Sequence, residues 1–146
     1  MDALATMPDM SSPDAKLAHV VTSILAGVFL SILFLQSGVD KVVDRKGNLE
    51  WLTGHFAKSP LARMVPLLLT TITILEVAAG ALSATGVVQI VAMGTMTLAF
   101  WGAALSGLSI VCLFFGQRLA KDYAGAAGLV PYFLVTLAAI WLMAPR

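Results

Sequence analysis

Charged residues are scarce in this chain, and long apolar tracts separate the few groups in which they stand. Nine of the 146 residues are basic and eight are acidic, which is 12% in all, whereas 59% are hydrophobic. About a quarter of the residues of a soluble domain are charged, so this chain cannot cover a surface that faces water. Its hydrophobicity excludes a disordered chain, and a net charge of +1 argues against a nucleic-acid-binding protein. We therefore expect an integral membrane protein.

Four apolar tracts are long enough to cross a bilayer, for which about 20 residues are needed. They predict an all-α fold, a four-helix transmembrane bundle with spans at about residues 17–40, 65–83, 87–115 and 124–144. The second and third spans are separated by the small residues 83–86 (Ser-Ala-Thr-Gly), which predict a tight turn. The spans belong to a single membrane domain over residues 17–146, and residues 1–16 are expected to form a flexible tail.

The loop between the first two spans has a helical pattern of its own. Leu49, Leu52 and Phe56 recur at helical spacing beside Trp51. A short amphipathic helix at the membrane interface explains this pattern, and so does an ordinary packed loop.

The distribution of Lys and Arg among the short loops predicts the orientation in the membrane. One face carries only Lys16 and Arg146, whereas seven basic residues fall in the first and third loops: Lys41, Arg45, Lys46, Lys58, Arg63, Arg118 and Lys121. Because basic residues accumulate on the cytoplasmic side, both loops are expected in the cytoplasm and both termini on the periplasmic face.

The reactive side chains exclude several kinds of cofactor chemistry. Cys112 is the single cysteine, so the chain alone can neither cycle a dithiol nor hold an iron–sulfur cluster. His19 and His55 fall on opposite membrane faces, which excludes a bis-histidine haem within the bundle. We expect no metal site and no covalently bound cofactor, so redox or transport work requires a partner protein or a diffusible ligand such as a quinone.

Glu76 stands alone inside the second apolar tract. A carboxylate near the middle of a bilayer costs about 2–3 kcal/mol, so it is expected to face inward and to have a partner. A rise of about 1.5 Å per residue places it roughly 17 Å along its span. Four hydroxyl-bearing residues are expected within a turn of this level, with Trp101 a further turn towards the cytoplasm: Thr95, Thr97, Tyr132 and Thr136. Two interpretations remain open, a proton or quinone-headgroup site and a structural hydrogen bond between helices.

Polar residues mark the cytoplasmic ends of the first and third spans. Ser37, Asp40, Lys41 and Asp44 share one helical face, on which Lys41 can pair with Asp44 or turn inward to Ser37. This face either caps a helix at the interface or meets an anionic headgroup or a partner.

A second group closes the third span at Arg118, Lys121 and Asp122. Arg118 and Asp122 are one helical turn apart and are expected to pair. The group either anchors the span at the interface or forms the rim of a cytoplasmic pocket together with Asp40 and Lys41.

Two short motifs resemble those of a known family. The segment FLQSGVDKVVD at residues 34–44 precedes LEVAAG at residues 75–80, and GQRLAKDYAGAAGLVPYF follows at residues 116–133. Together with four spans, these segments resemble the DoxX family of small membrane proteins. The motif positions in this chain are Ser37, Gly38, Lys41, Asp44, Glu76 and Gly80.

The resemblance implies a multi-pass protein of the bacterial inner membrane that is linked to redox metabolism. Named relatives are associated with thiosulfate–quinone oxidation, oxidative-stress complexes and maturation of periplasmic redox enzymes. It implies a non-catalytic or quinone-interacting subunit rather than a stand-alone enzyme, with lipid, a membrane redox protein or a second copy of the chain as partners. Its hypothetical ligand or quinone contacts are Glu76, Lys41, Tyr132, Trp101, Ser37, Asp40 and Asp44. The alternatives are a structural subunit for complex assembly and a small-molecule transporter or cargo-type receptor.

Overall fold

The structure, a computed structural model, describes residues 12–145 as a bundle of long helices. The elements are α1 (Pro13–Val43), α2 (Arg45–His55), a 3₁₀ turn (Ala62–Met64), α3 (Val65–Met93), α4 (Thr97–Leu119) and α5 (Tyr123–Met143). Within the described residues, four segments are long and apolar enough to cross a membrane, namely α1, α3 with its preceding 3₁₀ turn, α4 and α5. The predicted all-α, four-span architecture is therefore confirmed.

The long helices follow one another up and down through the bundle. The main packing partners are α1 with α3, α3 with α4, and α4 with α5. The short helix α2 lies against α3 and the end of α1, which confirms a helix in the first loop. At the opposite end, His19 Nε2 of α1 lies 2.8 Å from the Leu142 carbonyl of α5.

Helix α1 begins earlier than the sequence predicts. Ser12 caps its N-terminus by accepting a hydrogen bond from the Ala15 amide, and Pro13 occupies the first turn, where a missing amide hydrogen has no cost. Residues 13–16, expected in the tail, therefore belong to the helix. Residues 1–11 of the expected tail and Arg146 lie outside the described residues.

The predicted turn at residues 83–86 is wrong, because α3 continues through this segment to Met93. Gly86 packs against the Ala99 backbone so closely that a Cβ atom would overlap it, and a Cβ on Gly102 would lie 2.6 Å from the Ser83 amide nitrogen. The small residues thus allow α3 and α4 to touch. The chain reverses instead at residues 94–96, where Gly94 has a φ of 69° and ends α3.

Helices α1 and α3 also approach closely, and glycines on both sides make this possible. A Cβ atom on Gly38 would lie 2.7 Å from Val77 Cγ2, and one on Gly80 would lie 2.7 Å from the Leu35 amide nitrogen. This contact brings the polar end of α1 against the first half of α3, where Glu76 is located.

Candidate ligand-binding site

Glu76 lies between α1 and α3 and is paired with Lys41. Lys41 Nζ is 2.9 Å from Glu76 Oε2, and the side chain of Glu76 is only 2% exposed. Ser37 completes the group, since it donates a hydrogen bond of 3.2 Å to Glu76 Oε1 and accepts one of 2.7 Å from Lys41 Nζ. The three side chains form a connected polar cluster where α1 meets α3.

Helix geometry explains why Lys41 turns inward. Ser37 and Lys41 are one turn apart on the same face of α1, and Nζ also donates to the Ser37 carbonyl at 3.3 Å. A lysine in the last turn of a helix is favoured by the negative end of the helix dipole. Of the two partners expected from the sequence, Lys41 contacts Ser37 and not Asp44.

A cavity of about 390 Å³ lies beside this cluster, beneath α2 and between α3 and α4. Most of its lining is apolar and includes Leu69, Ile72 and Leu113. Lys41 also lines it, with a side chain that is 16% exposed, so the buried cluster and the cavity share this residue. The cavity is open at the outer surface of the bundle, where Cys112 and Phe115 are both exposed.

The polar part of the cavity wall carries hydrogen-bond donors. Asn48, Trp51, His55 and Gln117 join Lys41 there. Among residues 12–145, no acidic side chain lines the cavity. The arrangement suits a molecule with an apolar body and acceptor oxygens.

His55 is held in place from several sides. Its ring stacks on Trp51 with a centroid distance of 4.7 Å and meets the edge of Phe56 at 5.2 Å. Nε2 is 2.9 Å from Gln117 Oε1 and 3.8 Å from Asp122 Oδ2. These contacts connect α2 with the end of α4, and they form the polar edge of the cavity.

The structure does not support the partners that the sequence predicts for Glu76. Thr95 falls in the turn and Thr97 begins α4, because α3 is longer than expected and places both residues at the far end of the bundle. Thr136 is buried but donates to the Phe133 carbonyl at 2.7 Å. Tyr132 is exposed on α5 and stacks on Phe29 at 6.3 Å.

The remaining candidate contacts lie away from the cavity lining. Trp101 is 58% exposed on the outer face of α4 and packs edge-on against Phe100. Asp40 is exposed. Asp44 accepts a hydrogen bond of 3.1 Å from the Gly47 amide and thereby caps α2. These residues are not brought together with Glu76.

The predicted pair of Arg118 and Asp122 is also not formed. Helix α4 ends at Leu119 and Lys121 has a φ of 60°, so the helical spacing between the two residues is interrupted. Arg118 instead lies 4.6 Å from the Tyr123 ring centroid, while Asp122 caps α5 by accepting from the Gly125 amide at 2.8 Å. Of the residues expected at this rim, Lys41 lines the cavity itself and Asp122 lies 3.8 Å from the cavity-lining His55.

Sequence reasoning missed His55 and Gln117 as site residues. His55 follows Leu52 by three residues on the helical pattern of the first loop, which indicates that it shares a covered face. No local signal connects it with Gln117, 62 residues away.

The protein has no match among protein-family models, curated proteins or solved structures.

Proposed function

We propose that this protein is a DoxX-like membrane subunit that binds a quinone-type molecule in its cavity and works with a membrane redox system. The observation that carries this proposal is the position of Lys41. Its ammonium group is fixed by Glu76 and Ser37, and the residue lines an otherwise largely apolar cavity. A quinone has the matching chemistry, with carbonyl oxygens on a flat apolar ring.

The shape of the cavity supports a ligand that arrives through the bilayer. Its volume falls within the range of about 300–1,000 Å³ that is usual for small-molecule sites. Its lining includes Ile72 of α3 and Cys112 of α4, both on membrane-spanning helices, and Cys112 is exposed. A headgroup inside the cavity would therefore leave its hydrocarbon tail among the lipids.

The motif residues support the resemblance to DoxX proteins. Ser37, Lys41 and Glu76 contact one another, and Gly38 and Gly80 allow the close approach of the helices that carry them. Five positions from two separated motifs thus build one contact. A redox partner is proposed on the resemblance to DoxX proteins, which implies a link to redox metabolism.

The experiment that tests this function is to purify the protein in mild detergent and to quantify co-extracted quinone by mass spectrometry. Leu113→Trp fills the cavity, whereas Leu134→Trp adds the same side chain to an exposed site on α5. Quinone is expected with the wild type and with L134W, and is expected to fall about tenfold or more with L113W. Absence of quinone from the wild type, also after incubation with added quinone, or equal amounts in both variants, would contradict the proposal.

A further inference from the structure

The two ring nitrogens of His55 differ in their contacts with the protein. Gln117 Oε1 and Asp122 Oδ2 both lie on the Nε2 side, at 2.9 and 3.8 Å. Both atoms are acceptors, so they favour the tautomer in which Nε2 carries the hydrogen. Among the described residues, Nδ1 has no hydrogen-bond partner, and His55 lines the cavity.

We propose that His55 is the residue that distinguishes the reduced from the oxidised form of the ligand. This inference rests on the proposed function, because it assigns the chemistry of the same cavity. With Nε2 carrying its hydrogen, the neutral ring offers Nδ1 as an acceptor, which suits the hydroxyl group of a quinol. The protonated ring offers Nδ1–H as a donor, which suits the carbonyl group of a quinone.

The two acceptors at Nε2 are satisfied by the neutral ring, and Nδ1 of that ring meets a hydrogen only on the quinol. Among the described residues, the other titratable groups that contact His55 or line the cavity are Asp122, Lys41 and Cys112. All three remain in a protein whose His55 alone is replaced, so any preference that they cause would persist there.

The fixed orientation of the ring makes the discrimination effective. The stack on Trp51 and the contact with Gln117 hold the imidazole plane, so that ligand binding does not have to order it. Asp122 is itself fixed by its hydrogen bond to the Gly125 amide. Asp122 and Gln117 act as positioning residues, and His55 contacts the ligand.

The test uses the full chain in phosphatidylcholine nanodiscs, with a fully substituted short-tail benzoquinone and its quinol as probes. Full substitution leaves no ring position to which Cys112 could add. Dissociation constants for both forms are measured anaerobically at one pH by titration calorimetry. In the wild type, the preference for quinol over quinone is expected to be about two- to tenfold larger than in a protein without the His55 ring, the effect of one hydrogen bond.

Two variants replace the imidazole ring of His55 in different ways. His55→Gln retains a polar side chain beside Gln117, and His55→Phe retains a ring to stack on Trp51. Both are expected to lose this two- to tenfold preference, whereas His19→Gln, at the opposite end of the bundle, is expected to retain it. A preference that persists unchanged in both His55 variants, or a wild type that binds both forms equally well, would overturn the assignment of His55. If neither form binds the wild type, the proposed function itself has failed.

Discussion

The Lys41–Glu76 pair is the residue-scale feature on which both the packing and the proposed site depend. Glu76 is almost fully buried, while Lys41 is shared between the helix contact and the cavity. A buried ion pair contributes little net stability, but removing one partner leaves a charge without compensation. The pair is therefore expected to respond very differently to single and double replacement.

The first prediction concerns this difference. Lys41→Met is expected to lower the free energy of unfolding by about 3–5 kcal/mol, since Glu76 then retains only Ser37 and loses its charged partner, and K41M/E76M is expected to recover most of that loss. Unfolding in SDS, followed by circular dichroism, measures both. Asp40→Asn, at the exposed neighbour, is the control and is expected to change stability by less than about 0.5 kcal/mol.

The double variant also separates structure from function at this site. If the pair only joins two helices, K41M/E76M should bind quinone like the wild type once its stability has recovered. The proposed site requires the opposite, a stable protein with weakened binding. A double variant as unstable as K41M alone would contradict the account of the pair as a compensated contact.

At the scale of the elements, the contact between α1 and α3 is set by glycine. A Cβ atom on Gly80 would meet the backbone of α1 at Leu35, and backbone cannot move aside as a flexible side chain can. The same contact places Lys41 beside Glu76. Packing of these two helices and geometry of the site are therefore coupled.

The second prediction follows from this coupling. Gly80→Ala is expected to lower the free energy of unfolding by about 1–3 kcal/mol and to weaken quinone binding, because α1 must move away from α3. The matched control is Gly128→Ala on α5, where an added Cβ atom has no neighbour within 4 Å. Stability and binding are measured on both proteins. Equal behaviour of the two variants would show that the helices do not approach as closely as described.

The helices show which features the sequence predicts and which it does not. Apolar tracts and charges were sufficient to predict the four spans, because span length and hydrophobicity are local properties. The prediction of a turn at residues 83–86 failed because small residues occur both in turns and in close helix contacts. The contact between Gly86 and Ala99 of α4 identifies the second case, and it is not visible in the sequence. Glu76 was recognised as unusual, but its partner could not be identified without knowing which helix lies beside α3.

At the scale of the whole molecule, the bundle has two unlike ends. The end with α2 and the α4–α5 connection carries the cavity, the ion pair and the His55 contacts. The other end holds the turn at residues 94–96 and the contact between His19 and Leu142. The basic residues of the first and third loops predict that the end with the cavity is cytoplasmic.

The last prediction tests that orientation. In a Cys112→Ser background, Thr95→Cys and Ala57→Cys each place a single exposed thiol at opposite ends of the bundle. With intact bacterial spheroplasts, a membrane-impermeant maleimide is expected to label T95C and to leave A57C unlabelled until the membrane is opened. The physical reason is the distribution of basic residues, seven at the end with Ala57 and two at the end with Thr95. Translocating the seven costs more than retaining them in the cytoplasm. The reverse labelling pattern would contradict this orientation and would place the His55 end of the cavity in the periplasm.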